Sequence, residues 1–141
     1  MGAPPPQSLP PGAGPLAARY DALVSSGAIG RDPAQEGVVA RLDRLIADLG
    51  VRSGFLTRFL GRATPPRGVY IHGEVGRGKT MLMDAFFELA RVTAKRRVHF
   101  NEFMNDVQDR LHGARAGGAS DPVQPVAEAI ARETRLLCLD E

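Results

Sequence analysis

The sequence is poor in several residue types, and each shortage excludes a class of protein. Cys138 is the single cysteine among 141 residues, so no disulfide can form within the chain, and a reducing compartment is expected. No apolar run approaches the ~20 residues of a membrane helix, and the N-terminus lacks the pattern of a secretory signal. The three histidines stand far apart without cysteine partners, which argues against a metal cluster. We therefore expect a cytoplasmic protein without a transmembrane segment.

Lysine is scarce as well: of the 18 basic residues, only Lys79 and Lys95 are lysines. The simplest explanation is a genome that favours arginine codons. The net charge of +2 is too small to indicate nucleic-acid binding. The cluster of Lys95, Arg96 and Arg97 could bind nucleic acid or anionic lipid, but no aromatic residues are interleaved with it. We interpret this cluster as a solvated turn.

One of the two lysines completes the phosphate-binding pattern G-x-x-x-x-G-K-[ST]. The matching residues are Gly73, Glu74, Val75, Gly76, Arg77, Gly78, Lys79 and Thr80. Small residues let the backbone curl until its N–H groups point at a phosphate, and a helix beginning there adds its positive dipole end. We expect Lys79 to reach the β- and γ-phosphates and the Thr80 hydroxyl to bind Mg²⁺. Met81 belongs to the same predicted nucleotide-binding segment, and the side chain of Arg77 is expected to point to solvent.

The flanks of the loop suit this motif. Residues 68–72 form a short β-branched and aromatic run, typical of a buried strand. After the loop, apolar residues recur at helical spacing: Met81, Leu82, Ala85, Phe86, Leu89 and Val92. Strand, glycine loop and amphipathic helix is the order that the motif requires, so the sequence predicts a nucleotide site.

A second half of the site is predicted at residues 136–141. Four apolar residues precede Asp140 and Glu141, as in a buried parallel strand that ends in a Walker B motif. Carboxylates belong at this edge of a parallel sheet, where the phosphate loop also lies. We expect Asp140 to hold Mg²⁺, directly or through water, and Glu141 to orient and deprotonate the water that attacks the γ-phosphate. A buried strand ending in exposed acids is the plainer alternative, but the distance of about sixty residues from the loop favours Walker B.

Periodicity and turn residues organise the remaining sequence. We predict a disordered Pro/Gly-rich tail over 1–15, a helical region and linker over 16–67, and a partial nucleotide-binding domain over 68–141. Within the helical region, helices are expected over 16–26, over 32–50 and near 55–60, with Gly27 and Gly50 as stops. Asp32 is expected as an N-cap and Pro33 as the first helical residue, and Gln35 can reach back as in a capping box.

Beyond the loop helix we predict a strand over 98–100 and a helix whose core positions are Phe103, Met104, Val107 and Leu111. His99 is expected on an inner strand, held by hydrogen bonds. A flexible linker is expected over 113–120, and Asp121 with Pro122 predicts the start of another helix. Cys138, between leucines, is expected to be a buried, inert thiol.

These motifs together resemble the ZapE-like AAA+ ATPases, bacterial cell-division proteins with mitochondrial relatives. The resemblance lies in residues 20–35, 68–84, 97–104 and 136–141. It implies an α/β P-loop NTPase of the ASCE/AAA+ type, with a three-layer core around a parallel sheet and an N-terminal helical region. It also implies an enzyme that binds ATP and Mg²⁺, hydrolyses ATP, and acts on protein partners such as FtsZ, as a homo-oligomer in the intact protein. Such proteins lie peripheral to the inner membrane at the division site.

The resemblance also implies roles for particular residues. Gly76, Gly78, Lys79 and Thr80 would bind ATP, and Asp140 and Glu141 would serve magnesium and water. Ile29 and Gln35 would lie near the adenine, although a helix cap remains the plainer role for Gln35.

The chain departs from the family because it stops at Glu141. The strand with the polar sensor, the arginine finger and the helical lid have no counterpart here. The family's sheet also has a strand between the loop strand and the Walker B strand, and that strand is missing. We therefore expect an incomplete sheet, and a truncated product or fragment that is unstable or inactive alone.

Three other functions remain open from the sequence. A P-loop kinase or GTPase is disfavoured because no N-K-x-D string is present and Glu141 directly follows Asp140. A replication-type AAA+ loader would need a basic face larger than the 95–97 cluster. A non-catalytic fragment that binds a partner through its helical region is the third alternative.

Overall fold

The computed structural model describes residues 14–52, 66–73 and 78–141, so residues 1–13 of the predicted tail, the helix near 55–60 and most of the linker after it lie outside the described residues. Pro15, which the prediction placed in the tail, is the first residue of the first helix. The elements, in order, are α1 Pro15–Ser25, α2 Pro33–Arg52, α3 Gly78–Leu89, β1 Lys95–His99, α4 Phe100–Ala116, α5 Val123–Glu133 and β2 Leu136–Asp140. They divide into two compact units, Met1–Arg91 and Val92–Glu141. Helices and a parallel sheet confirm the predicted α/β class. In the described part of the chain, no helix is both long and apolar enough to cross a membrane.

An apolar core joins the three helices that the structure describes in the first unit. Its buried residues are Leu16 and Tyr20 from α1, Val39, Leu42, Leu45 and Ile46 from α2, and Leu82, Ala85 and Phe86 from α3. Their spacing of three and four residues places them on one face of each helix. Burial of a large aliphatic or aromatic side chain contributes about 1.5–3 kcal/mol, so this core fixes the position of α3.

Local turn residues set most helix ends as predicted. Gly27 follows α1 with φ 75°, and the N–H groups of Gly27 and Ala28 donate to the Val24 and Leu23 carbonyls, both at 3.1 Å. This is a Schellman motif, which needs a left-handed residue where Gly27 stands. The Asp32 carboxylate accepts the Ala34 N–H at 2.9 Å, which confirms it as the cap of α2.

The predicted stop at Gly50 is wrong, because α2 continues to Arg52. Gly50 is absent from the described glycines with positive φ. A glycine in a helical conformation costs about 1 kcal/mol relative to alanine but does not end the helix.

The N-terminus of α1 is held by a carboxylate from another helix, which the sequence did not reveal. Asp43 of α2 is only 8% exposed and accepts the N–H groups of Leu16 at 2.8 Å and Ala17 at 2.9 Å. A helix N-terminus leaves four such N–H groups without helical partners, and its dipole attracts negative charge. Gly14 stands where a Cβ would collide with the Asp43 side chain. Asp43 therefore fastens α1 to α2.

The second unit contains the described sheet, in which β1 and β2 pair in parallel with Lys95 opposite Leu136 and His99 opposite Asp140. Cys138 is buried as predicted, and burial raises the pKa of its thiol, which keeps the thiol neutral. The expectation of a wholly buried strand is wrong, because Leu139 is 40% exposed. A sheet of two strands does not enclose both faces of either strand.

Residues 68–72 are not a strand, contrary to the prediction. Tyr70 is 84% exposed and stacks on His72 with ring centroids 6.0 Å apart. A strand exists only with a hydrogen-bonded neighbour, and none pairs with this run among the described residues. β-propensity alone does not supply that neighbour.

The segment from Lys95 to Gly117 also differs from the sequence prediction. The basic cluster interpreted as a solvated turn lies within β1, and Phe100 begins α4 instead of ending the strand. His99 is exposed beside the first residue of α4, not enclosed in an inner strand. α4 extends into the predicted linker and ends at Ala116, just before Gly117. Its predicted core positions are only half-buried: Phe103, Met104, Val107 and Leu111.

The start of α5 agrees with the prediction in part. The Asp121 carboxylate accepts the Val123 N–H at 3.1 Å, but the helix begins at Val123, so its N-cap is Pro122 and not Asp121.

A chain of ion pairs links β1, α4 and α5. Arg96 contacts Asp106 at 2.9 Å, Arg110 contacts the same carboxylate at 3.0 Å, and Arg110 reaches Glu133 at 2.8 Å. Hydrogen bonds from Arg96 and then Arg110 lower the pKa of Asp106, and the hydrogen bond from Arg110 lowers that of Glu133. These contacts tie the two helices to the strand that begins with the basic cluster.

We predict that Asp43→Asn lowers the free energy of unfolding by about 1–2 kcal/mol, because asparagine keeps one acceptor oxygen but loses the second and the charge. Asp48→Asn, on the exposed side of the same helix, is the matched control and should change stability by less than about 0.5 kcal/mol. Urea unfolding of both variants measures the difference. Equal stabilities would show that Asp43 does not fasten α1.

A second prediction concerns acid stability. Since the pKa of Asp106 is lower in the folded state, its contribution is present at neutral pH and is lost as the pH falls through the folded value, in the window of roughly pH 5 to 2. Asp106→Asn should therefore be less stable than the parent at pH 7 and should approach it at pH 2–3. Denaturant unfolding at several pH values tests this, with exposed Asp109→Asn on α4 as control. A pH-independent difference would contradict it.

Candidate functional site

The structure describes both ends of the predicted phosphate loop. Gly73 is its first residue and Gly78 begins α3, while the predicted contacts Glu74, Val75, Gly76 and Arg77 lie outside the described residues. Lys79, Thr80 and Met81 follow in the first turns of α3. The predicted helix at the end of the loop is therefore confirmed.

Lys79 links the two ends of the loop. Its Nζ donates to the Gly73 carbonyl oxygen at 2.8 Å. Gly73 has φ 156°, a backbone conformation that residues with a Cβ rarely adopt. This hydrogen bond places the ammonium group of Lys79, the only cation described at the start of α3, beside the residue at the other end of the loop.

The first turn of α3 is suited to an anion. It contains no acidic residue. The first N–H groups of a helix lack helical partners, and the helix dipole makes this end positive. Lys79 adds a full positive charge there, so backbone and side chain together favour a phosphate.

Gln35 does not form the predicted capping box. The Asp32 N–H donates to the Tyr20 hydroxyl at 2.9 Å, and the same hydroxyl donates to Gln35 Oε1 at 3.2 Å. The amide of Gln35 lies against Gly78, where a Cβ would stand 3.2 Å from Cδ and closer still to Nε2. Tyr20 competes successfully for the N–H that the cap would have used. The sequence signals were the tyrosine in α1 and the glycine before Lys79, but nothing in the sequence linked them.

The acidic pair ends the second unit. Asp140 closes β2, and its Oδ2 accepts from Arg97 at 3.1 Å, while Oδ1 accepts the Glu141 N–H at 3.0 Å. The parallel register brings His99, the last residue of β1, opposite Asp140. Both strands thus end at the edge where the acids lie, as predicted for a parallel sheet.

Each unit, taken by itself, offers an oxygen ligand of the kind that Mg²⁺ prefers. Thr80 in the first unit has a hydroxyl oxygen in the first turn of α3, and Asp140 in the second unit has a carboxylate. A metal ion that coordinated Oδ2 of Asp140 would compete with the guanidinium of Arg97.

Comparison with known proteins identifies the family. The sequence model of the AFG1-like ATPases matches residues 15–141. The chain belongs to this family. Membership confirms the resemblance to ZapE-like AAA+ ATPases and makes the protein a member of an ATPase family. No solved structure matches the chain.

Three relatives show how much of such a protein the chain covers. Lactation elevated protein 1 homolog B of Danio rerio is 50% identical over 86 residues, which are 55% of this chain and 17% of that protein. Cell division protein ZapE of Escherichia coli is 44% identical over 78 residues, 55% of this chain and 20% of ZapE. An uncharacterized protein of Schizosaccharomyces pombe is 32% identical over 86% of this AFG1-like ATPase and 35% of its own length. The chain therefore spans about a third of these relatives or less.

Proposed function

We propose that this AFG1-like ATPase binds ATP with Mg²⁺ through residues 73–81 and hydrolyses it with the help of Asp140 and Glu141. The observation that carries the proposal is the hydrogen bond of 2.8 Å from Lys79 to Gly73 at the N-terminus of α3. It holds an ammonium group beside backbone N–H groups that have no partners within the helix, in a turn that contains no acidic residue. Family membership supports the nucleotide, and the geometry supports the segment.

Binding follows from charge and from backbone direction. Lys79 is attracted to the β- and γ-phosphates, because a charged phosphate oxygen is a stronger acceptor than the neutral Gly73 carbonyl. The N–H groups of Gly78, Lys79 and Thr80, which have no partners within the helix, add donors along the axis of α3. Met81 continues the same turn, and Glu74, Val75, Gly76 and Arg77 complete the proposed loop.

Asp140 would bind the metal ion, and Glu141 would activate the water. Thr80 and Asp140 would hold Mg²⁺, which supplies charge neutralisation at the phosphates. Glu141 would accept the proton of the attacking water, as an ionised carboxylate can when it lies within hydrogen-bond reach. Asp140 Oδ2 accepts a hydrogen bond from the guanidinium of Arg97 at 3.1 Å. A general base next to the metal ligand favours transfer to water over transfer to a second substrate.

The biological setting is part of the proposal. The name of the bacterial relative, Cell division protein ZapE, supports action in cell division. The proposed partners are division proteins such as FtsZ, with a homo-oligomer as the working form and a cytoplasmic position peripheral to the inner membrane. We also propose the division into a tail over 1–15, a helical region over 16–67 and a partial nucleotide-binding domain over 68–141. Contacts of Ile29 and Gln35 with the adenine stay predictions.

We predict that Lys79→Ala and Thr80→Ala together abolish magnesium-dependent ATP binding, with a loss of at least about 100-fold, because they remove the ammonium group and the metal ligand. Lys95→Ala, which changes the only other lysine, is the matched control and should bind as the parent does. Binding of a fluorescent ATP analogue measures affinity. Competition by unlabelled ATP and GTP shows whether the site prefers adenine or guanine nucleotides. Unchanged affinity in the double variant, or preference for GTP, would contradict the proposal.

We also predict that Glu141→Gln keeps ATP affinity within about threefold and lowers the rate of phosphate release by at least about 100-fold, because glutamine cannot accept the proton. Release of inorganic phosphate and nucleotide binding are measured on the same preparation. A variant that hydrolyses ATP as the parent does would remove Glu141 from its role as base.

A further inference from the structure

The Tyr20 hydroxyl lies between α2 and the start of α3. Tyr20 is 3% exposed, so its hydroxyl must find partners inside the protein. It accepts the Asp32 N–H at 2.9 Å and donates to Gln35 Oε1 at 3.2 Å. The Arg31 guanidinium lies 5.8 Å above the ring and is itself paired with Asp21 at 2.7 Å. The ring and its hydroxyl are thus fixed from several sides.

This contact orients the amide of Gln35. Because Oε1 faces Tyr20, the Nε2 group points the other way, towards Gly78. A Cβ on residue 78 would stand 3.2 Å from Gln35 Cδ and closer to Nε2, the movable end of the Gln35 side chain. Gly78 is not among the described glycines with positive φ, so its backbone alone does not require glycine. A side chain at this position would displace the Gln35 amide.

We propose that Tyr20 and Gln35 are a positioning pair for the phosphate loop. Tyr20 orients Gln35, and the amide of Gln35 fixes Gly78, the first residue of α3. The orientation of the Gly78 backbone sets the orientation of the N–H groups of Gly78 and Thr80, on either side of Lys79. The inference rests on the proposed function, since it concerns how well the loop receives phosphate. It assigns neither residue a contact with the base.

The first test removes each group and then both. In the full protein, Tyr20→Phe deletes only the hydroxyl, and Gln35→Ala deletes the amide. Each should weaken binding of Mg²⁺-ATP by roughly fivefold to tenfold, the effect of one lost hydrogen bond. The double variant should lose no more ATP affinity than the more strongly affected of the two single variants, because Tyr20 acts through Gln35. The loss should be equal for ATP and GTP, since the pair acts on the phosphates.

A rescue experiment tests the steric part. Gly78→Ala should reduce ATP affinity strongly, and Gln35→Ala in the same chain should restore part of it by making room for the methyl group. Gly37→Ala is the matched control, because nothing lies within 4 Å of a Cβ at this position of α2. A melting temperature without nucleotide, measured for every variant, separates loss of folding from loss of affinity. If Tyr20→Phe does not fold, the Gln35 variants and the rescue decide.

The outcomes separate this inference from the proposed function. A parent protein without Mg²⁺-ATP affinity overturns the proposed function. A parent that binds, with Tyr20→Phe and Gln35→Ala binding equally well, overturns only the positioning pair. The pair is also overturned if the two losses add, if ATP binding alone is weakened, or if Gln35→Ala fails to improve Gly78→Ala.

Discussion

The site depends on the backbone N–H groups at the start of α3, which have no partners within the helix. Such groups need a polar partner, and an anion is the strongest partner that a helix N-terminus can take. Their position is fixed because Leu82, Ala85 and Phe86 are buried in the following turns of the same helix. Apolar packing therefore sets the place of the site, and the glycine loop with Lys79 sets its charge. The two properties come from successive turns of one helix.

Short-range rules account for most of what the sequence predicted correctly. The stop after α1 needs only Gly27, the start of α2 needs only Asp32 and Pro33, and the loop motif fixes the first residue of α3. Each of these signals acts over a few residues, so the sequence carries it locally. β2 was predicted from its apolar run and its terminal acids for the same reason.

The missed features are contacts across long sequence distances. Asp43 reaches the N-terminus of α1, 27 residues away, and Gln35 lies against Gly78, which is further still along the chain. Neither contact produces a periodic pattern in the sequence. The run 68–72 failed for a related reason: its composition favours a strand, but a strand also needs a neighbour. β1 shows the converse, since pairing with β2 made a strand of the basic residues 95–97.

The cations nearest the predicted ligands already have oxygen partners. Lys79 donates to the Gly73 carbonyl at 2.8 Å, and Arg97 donates to Asp140 at 3.1 Å. Each contact gives the cation an oxygen partner when no ligand is bound. A nucleotide that bound Lys79 would replace the Gly73 carbonyl, and a metal ion that bound Asp140 would replace the guanidinium of Arg97. Because each exchange replaces one favourable contact by another, the net affinity depends on how well the loop is aligned, which is the property that α1 and α2 control through Tyr20 and Gln35.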